Sequence, residues 1–314
     1  MKKLIYILLF TLLMVGMTGC TKCSKTNDKL TKLELSVATP SGAPAIAFYN
    51  HLLEDNLEIN SEANNVVAYL SENSNKDIVV APTNAGIQAI VNKNAPFKIA
   101  AVITFGNFYL VSTGLDDDGT LNNGDSVLAF QENGVAGKLF KYVYGDLGLN
   151  ITYLADVKAV KTEVLTKDVE YEYVLLAEPV VSAVLSNKTN YQLFKSVQED
   201  YKIKSNGLSI TQAAIFVNNK ADENKVKALL SMIKEEIEAL INDSTVIESC
   251  TSAVSDESFA SKLGGSKVLI QKLIFSSNKI GIGFEYAYEF KTSIDSFIQT
   301  LGINATNEET YFRH

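Results

Sequence analysis

Short apolar runs and amphipathic stretches alternate along the chain from residue 33 onward. The runs at 77–80 and 99–104 have the length and the β-branched content of buried strands. Over 223–242, by contrast, apolar residues recur at the spacing of one face of a helix. Strands that alternate with helices in this way predict an α/β protein in which helices cover mainly parallel sheets.

The predicted elements fall into two sets, separated by the acidic turn at 116–119. In the first set the predicted strands are 33–38, 66–70, 77–80, 99–104 and 108–112, and the predicted helices are 43–54 and one that ends near Lys93. In the second set the predicted strands are 127–130, 151–155 and 174–177, and the predicted helices are 134–145, 158–165 and one that starts at Pro179. A strand at 213–217 and helices at 223–242, 267–275 and 284–301 follow.

A chain of 314 residues exceeds one comfortable hydrophobic core, so two domains are expected. We expect residues 33–110 to form the first part of lobe 1, residues 111–211 to form lobe 2, and residues 212–314 to return to lobe 1.

Residues 1–19 have the layout of a secretory signal peptide. Lys2 and Lys3 precede an apolar run that ends at Met17, and small residues precede Cys20. A membrane-spanning helix needs about 20 apolar residues, so this run is marginal for crossing a bilayer. Residues 17–20 resemble a bacterial lipobox, which implies that Cys20 carries the lipid, typically palmitate. The alternatives are an ordinary cleaved signal and a membrane anchor with an unmodified Cys20.

Residues 20–32 are polar and rich in lysine, as expected of a flexible tether. We therefore expect the protein to be lipid-anchored at the cell membrane on its extracytoplasmic side, in a periplasm or at the cell surface. Cys23 lies in this tether, and a disulfide with Cys250 would order it at a cost in conformational entropy. We therefore expect no disulfide.

The composition excludes several classes of function. The formal charge of −8 provides no basic footprint for nucleic acid. His51, His314 and the three cysteines form neither a catalytic Cys/His pair nor a zinc-ligand spacing. Walker, Rossmann and nucleophile-elbow motifs are also missing. These absences argue against an enzyme, and we expect no cofactor and no metal ion. We also expect a monomer.

Three loops share one design, in which a predicted strand leads through small or polar residues into a helix. They are residues 39–44, 81–86 and 131–137. At such a junction the free amides and the positive end of the helix dipole lie outside the carboxyl end of the sheet, where open α/β sheets bind ligands. The candidate ligand-binding residues in these loops are Ser41, Gly42, Thr83, Asn84, Gly134 and Val135. The alternative is that Ser41, Thr83 and Asn84 only cap helices.

Three further candidates lie within or directly after apolar runs. Asn107 and Tyr109 are polar or amphipathic within an apolar stretch, which favours positions that face a cleft. Glu178 follows an apolar strand and precedes a helix. Its carboxylate either complements the helix dipole or accepts hydrogen bonds from an amino group or a cationic ring of a ligand.

Five short motifs carry a family resemblance: PSGAP at 40–44, APTN at 81–84, AEP at 177–179, QAAIFVN at 212–218 and IGIGF at 280–284. Together they resemble the nitrate, sulfonate, taurine and thiamine-precursor binding proteins of ABC transporters. The resemblance implies a two-lobed, type II periplasmic-binding-protein fold with a hinge of two crossover strands and a ligand held between the lobes. It also implies an ABC permease and its ATPase as partners.

The resemblance carries ligand contacts over to Ser41, Gly42, Thr83, Asn84 and Glu178, and to Gly134 and Val135. The chain has no tryptophan, and no arginine or lysine stands inside the loop motifs. We therefore favour a neutral or cationic heteroaromatic ligand, such as a thiamine precursor, over a sulfonate- or nitrate-type anion. Two other hypotheses stay open: a surface ligand-sensing lipoprotein without a transporter, and a two-lobed enzyme similar to proteins of thiamine-precursor synthesis.

Overall fold

The computed structural model describes residues 32–115, 118–168, 170–304 and 306–314. The predicted signal peptide (1–19), the lipidation of Cys20 and all but the last residue of the predicted tether (20–32) lie outside these residues. Within the described ranges, no helix combines the length and the apolar character needed to cross a membrane.

Strands and helices alternate along the described chain, as the hydrophobic pattern predicts. The strands are β1 (Val37–Pro40), β2 (Leu57–Asn60), β3 (Ile78–Pro82), β4 (Phe97–Thr104), β5 (Phe108–Ser112), β6 (Ser126–Phe130), β7 (Asn150–Leu154), β8 (Tyr173–Ala177), β9 (Gln192–Ser196), β10 (Ala213–Asn218) and β11 (Ile282–Tyr286). The helices are α1 (Ala43–Ile46), α2 (Ala63–Val67), α3 (Thr83–Lys93), α4 (Val135–Tyr144), α5 (Val157–Thr166), α6 (Val180–Asn187), α7 (Val197–Lys204), α8 (Glu223–Asn242), α9 (Val246–Cys250), α10 (Asp256–Leu263), α11 (Lys267–Phe275) and α12 (Lys291–Thr300).

The first sheet forms lobe 1 and has the strand order β11-β4-β10-β3-β1-β2. β1 runs parallel to β2 and β3, whereas β10 is antiparallel to its neighbours β3 and β4. Strand β11 closes the edge, antiparallel to β4. The carboxyl ends of β1, β3 and β4 therefore lie at one common edge of the sheet.

The second sheet forms lobe 2 and has the strand order β7-β6-β8-β5-β9. β6 is parallel to β7 and β8, whereas β5 is antiparallel to β8 and β9. Both sheets thus hold parallel strands in the spatial order second, first, third, followed by an antiparallel strand that arrives from the other lobe. The expected two-lobed α/β fold with two crossovers is confirmed.

The chain passes from one lobe to the other at 105–107, after β4, and at 205–212, before β10. The sequence pattern places residues 108–110 in lobe 1, but β5 pairs with β8 and β9 in the second sheet. Only three residues separate the apolar strands β4 and β5, so hydrophobicity alone does not reveal that the chain changes sheets between them.

Several predicted elements differ from the structure. β1 begins at Val37 instead of residue 33, and α1 ends at Ile46 instead of residue 54. Residues 66–70, predicted as a strand, include the end of α2, from which Val66 packs into the core with 0% exposure. The edge strand is β2 instead. The helix predicted at 284–301 begins only at Lys291, because the segment before it pairs with β4 as β11. The polar elements β9, α7, α9 and α10 have too little hydrophobic periodicity to be predicted.

Cys250, at the end of α9, is disulfide-bonded. The expectation of no disulfide is therefore wrong. Cys250 packs half-buried against the core of lobe 1, so packing already orders this half of the bridge. The chain's other cysteines, Cys20 and Cys23, lie outside the described residues.

Helices cover both faces of the first sheet. One face packs under α8 and α11 in a core that includes Ile78 and Ile215. The core on the opposite face extends from α3 and α12 into lobe 2. There the rings of Tyr201 in α7 and Phe297 in α12 meet edge to face with centroids 6.4 Å apart. The Lys138 Nζ of α4 also donates to the Leu301 carbonyl at 2.8 Å, so the lobes are in contact along this side.

Candidate functional site

The centre of the site is the point where β3, β10 and β4 meet at the carboxyl edge of the first sheet. Ala213, the first residue of β10, lies opposite Pro82 on one side and Thr104 on the other. Just before it, the Gln212 carbonyl accepts from the Thr83 amide at 3.1 Å, and the Gln212 amide donates to the Thr104 carbonyl at 2.9 Å. Strand register therefore brings Thr83, Gln212 and Thr104 side by side, at the position where α/β sheets bind ligands.

Five buried polar atoms at this edge have no hydrogen-bond partner in the described part of the chain: Thr83 Oγ1, Asn84 Oδ1, Thr104 Oγ1, Thr211 Oγ1 and Gln212 Oε1. We call these five residues the polar edge. Buried polar groups in native proteins are nearly always paired, because leaving one unpaired costs about 1–3 kcal/mol. Their concentration at one sheet edge is therefore a feature that requires an explanation.

Asn107 connects the polar edge to lobe 2. Its side-chain Nδ2 donates to the Glu178 carbonyl at 2.8 Å, and its backbone carbonyl accepts from the Glu178 amide at 2.9 Å. The Gln212 Nε2 donates to the Asn107 Oδ1 at 3.3 Å. One buried side chain thus links both crossovers with the end of β8.

Glu178 is buried, and its carboxylate interacts with the start of α6. Its two oxygens accept hydrogen bonds from the Ser182 amide at 3.1 Å and from the Ser182 hydroxyl at 3.0 Å. Burial raises the pKa of the Glu178 carboxyl, while Ser182 and then the ammonium groups of Lys279 and Lys272 act in the opposite direction. The sequence allowed the carboxylate either to interact with the helix start or to bind a ligand, and the structure shows the interaction with the start of α6. Each oxygen retains a lone pair for another donor.

Tyr109 forms a contact between the lobes. Its hydroxyl donates to the Lys279 carbonyl of lobe 1 at 3.0 Å. Burial raises the pKa of the Tyr109 hydroxyl, and the negative charges of Glu178 and Glu199 add to this effect. Because its hydroxyl is already paired, this side chain joins β5 to the loop between α11 and β11.

At the other two predicted loops, backbone amides are already occupied. The Ser41 amide donates to the Asn60 carbonyl at 2.8 Å, and the Gly42 amide donates to the Lys262 carbonyl at 2.9 Å. The Gly134 amide donates to the Gln131 carbonyl at 2.8 Å. Among the described contacts, no hydrogen bond connects Ser41, Gly42, Gly134 or Val135 with the polar edge. The structure thus brings Thr83, Asn84, Asn107 and Glu178 together and leaves the other predicted residues outside this network.

Sequence reasoning misses Thr104, Thr211 and Gln212. Thr104 ends β4, and Thr211 and Gln212 precede β10, so all three are far from Thr83 in the sequence. Only the register of β10 between β3 and β4 brings them together with Thr83. The one available signal is the pair of polar residues 211–212 immediately before the apolar run 213–217. Across the described ranges, no group of three or more histidine, cysteine, aspartate or glutamate residues is arranged to hold a metal ion.

Solved structures with the same fold include proteins of ABC transporters and the protein DszB. An ABC transporter protein from Parabacteroides distasonis is 17% identical, with a TM-score of 0.71 over 90% of this chain and 99% of its own. A protein described as a periplasmic sulfonate-binding protein of an ABC transporter from Methylobacillus flagellatus is 10% identical, with a TM-score of 0.54 over 87% and 89% of the two chains. A DszB mutant in complex with biphenyl-2-sulfinic acid is 8% identical, with a TM-score of 0.55 over 88% and 96%.

These likenesses extend over nearly all of each chain and show a shared fold. The fold that the family resemblance implies, that of periplasmic binding proteins of ABC transporters, is thereby confirmed. No family model and no curated protein matches this sequence.

Proposed function

We propose that this chain is a solute-binding protein that captures a small polar ligand between its lobes, at the polar edge. The observation that carries the proposal is the set of five buried, unpaired polar atoms at the carboxyl edge of the first sheet. A bound ligand would supply the missing hydrogen bonds. The two-lobed fold supports the same role, since solved structures with this fold include a periplasmic sulfonate-binding protein.

The chemistry of the polar edge favours a ligand that presents N–H or O–H groups. Threonine hydroxyls donate or accept, whereas the amide oxygens of Asn84 and Gln212 accept only. The nearby acid is Glu178, whose carboxylate keeps capacity for further donors. We therefore infer a neutral or cationic nitrogen heterocycle of the thiamine-precursor type. A sulfonate- or nitrate-type anion is the second candidate, because Lys272 and Lys279 lie within electrostatic range of Glu178.

We further propose that the protein works from the outer face of the cytoplasmic membrane as a monomer and delivers its ligand to an ABC permease and ATPase. This part rests on the leader and on Cys20 in the sequence. Replacement of Cys20 by Ser in the full chain tests it by fractionation. We expect wild-type protein in the membrane fraction and the variant released; equal retention of both would contradict lipid anchoring.

Ligand capture is tested by thermal unfolding of the full chain, solubilised in detergent with its disulfide intact, in the presence of single solutes. The panel contains thiamine, its hydroxymethyl aminopyrimidine precursor, taurine and nitrate. Because a ligand that binds only the folded state raises the melting temperature, we expect a shift with a thiamine-type compound. A shift with taurine or nitrate alone would overturn the ligand class, and no shift with any solute would overturn the proposal.

A matched pair of variants in α3 localises the binding. Asn84→Ala removes an unpaired buried amide oxygen, whereas Gln88→Ala, one turn further along the same helix, changes an exposed side chain. We expect the first change to weaken ligand affinity about tenfold, equivalent to one hydrogen bond of about 1.4 kcal/mol, and the second to leave it unchanged. Equal affinities for the two variants would place the ligand elsewhere.

A further inference from the structure

A cleft between the lobes lies beside the first crossover. It is a cleft of about 530 Å³, within the usual range for small-ligand pockets. Its lining includes Phe105, Tyr109, Glu199, Ser277, Lys279 and Ile282. We call it the hinge cleft; none of the five polar-edge residues lines it. It is therefore distinct from the ligand site proposed above.

Hydrogen bonds connect the first crossover to the cleft walls in both lobes. The Phe105 amide donates to the Gly281 carbonyl at 2.8 Å, which connects the crossover to the loop before β11. On the lobe 2 side, the Phe108 amide donates to the Gln198 Oε1 at 3.0 Å. A molecule in this cleft would thus touch both lobes and the segment that joins them.

Gly281 shows how closely the lobe 1 wall approaches the crossover. It has a φ of +68°, and a Cβ built on it would lie 2.1 Å from the Gly106 carbonyl oxygen. The wall is therefore a fixed backbone surface at this point. Phe105 is held as well, because its ring packs edge to face on Phe290 with centroids 5.8 Å apart.

The hinge cleft presents one charge of each sign, and the two charges belong to different lobes. Lys279 lies in the lobe 1 loop, and Glu199 lies in the first turn of α7 in lobe 2. Within the described part of the chain, neither the Lys279 ammonium nor the Glu199 carboxylate has a side-chain hydrogen bond or ion pair. Phe105 and Ile282 add apolar surface to the same lining.

We propose that the hinge cleft binds a small zwitterion of amino-acid or dipeptide size. Its carboxylate pairs with Lys279, its ammonium pairs with Glu199, and its apolar part lies on Phe105 and Ile282. Only a solute that carries both charges satisfies both walls at once. Because the two charged groups belong to different lobes, the occupant holds the lobes together at the crossover.

Calorimetric titration tests this proposal on the detergent-solubilised full chain with its disulfide intact, with L-phenylalanine and glycyl-phenylalanine as probes. Phenylacetate and phenethylamine, which each lack one of the charges, are the matched probes. We expect at least one zwitterion to bind at least tenfold more tightly than either single-charge analogue. Equal binding of the analogues, or no binding of either zwitterion, would overturn the proposal.

Variants assign the binding to this cleft. Lys279→Met and Glu199→Gln should each weaken the zwitterion at least tenfold, while Lys202→Met, which changes an exposed lysine of α7 outside the lining, should leave it unchanged. The polar-edge variant Asn84→Ala should also leave zwitterion binding unchanged. Loss of binding in Asn84→Ala would place the probe at the polar edge and overturn the second site. Unchanged binding in both Lys279→Met and Glu199→Gln would overturn it as well, whatever the polar edge binds.

Discussion

Asn107 and Glu178 are joined by two hydrogen bonds, 2.8 and 2.9 Å long, that connect the first crossover to the end of β8. One uses the Asn107 side chain and the other its backbone. The same side chain accepts from Gln212 in the second crossover. The two crossovers are thus connected to each other and to lobe 2 through one buried amide.

Replacement of Asn107 by Ala should destabilise the folded protein. The change leaves the Glu178 carbonyl and the Gln212 amide without a partner, so we expect the free energy of unfolding to fall by about 1–3 kcal/mol. Urea unfolding measures it. Asn219→Ala, which changes an exposed asparagine directly after β10, is the control and should change stability by less than about 0.5 kcal/mol. Equal effects of the two changes would show that the Asn107 side chain does not hold the crossovers.

A comparison of alanine variants at two glycines distinguishes the cost of backbone strain from the cost of a steric clash. Gly281 and Gly302 both have positive φ, +68° and +77°, but only Gly281 has a neighbouring atom where a Cβ would stand. Ala at either position costs about 1 kcal/mol for the left-handed conformation. We expect Gly281→Ala to cost clearly more, because the methyl group would push the loop away from Gly106. Melting temperatures of the two variants test this, and equal losses would contradict the close approach.

His51 should make stability fall at alkaline pH. The ring is buried, with Nδ1 2.6 Å from Glu54 Oε1 and Nε2 3.1 Å from Glu236 Oε2. Burial alone would lower the pKa of His51, but Glu236 and Glu54 outweigh it, so the pKa rises above its usual 6.5. A histidine whose folded-state pKa is raised stabilises the fold fully below its unfolded pKa and loses that contribution as pH rises through the folded value.

The measurement is urea unfolding of wild type and His51→Gln at several pH values from 6 upward. This range starts just below the usual histidine pKa of about 6.5. We expect the stability advantage of wild type to be largest near pH 6 and to shrink as the pH increases, since neutral His51 no longer attracts two carboxylates. An advantage that stays constant or grows with pH would contradict a charged His51.

The sequence predicts helices well where one buried face repeats over many residues. The predicted and observed bounds of α8 and α11 coincide, because apolar side chains recur there at helical spacing and face the core. At 66–70 the same criterion fails, since a helix as short as α2 has too few turns for a period to be visible. The sheet to which β5 belongs is decided by its pairing with β8, a strand that is distant in sequence, so no local pattern predicts it.

Some residues of the candidate site can likewise be predicted from local sequence, and others cannot. Thr83 and Asn84 are predictable, because a strand end followed by a helix start is a local signal. Gln212 and Thr104 reach the same point only through the register of β10 between its neighbours. At Glu178 the sequence left two roles open, and the bonds to Ser182 could be known only once α6 was placed.

The most direct test of the central claim is the stability of the ligand-free protein after removal of an unpaired hydroxyl. Thr83→Val and Thr104→Val each delete a buried oxygen that has no partner, whereas Thr310→Val deletes a buried hydroxyl that donates to Asn307 Oδ1 at 3.0 Å. If the polar edge is a ligand site, its hydroxyls are unpaired in the ligand-free protein. Thr83→Val and Thr104→Val will then raise the free energy of unfolding by about 1 kcal/mol, and Thr310→Val will lower it by a similar amount. A loss of stability in Thr83→Val and Thr104→Val as large as in Thr310→Val would contradict the account.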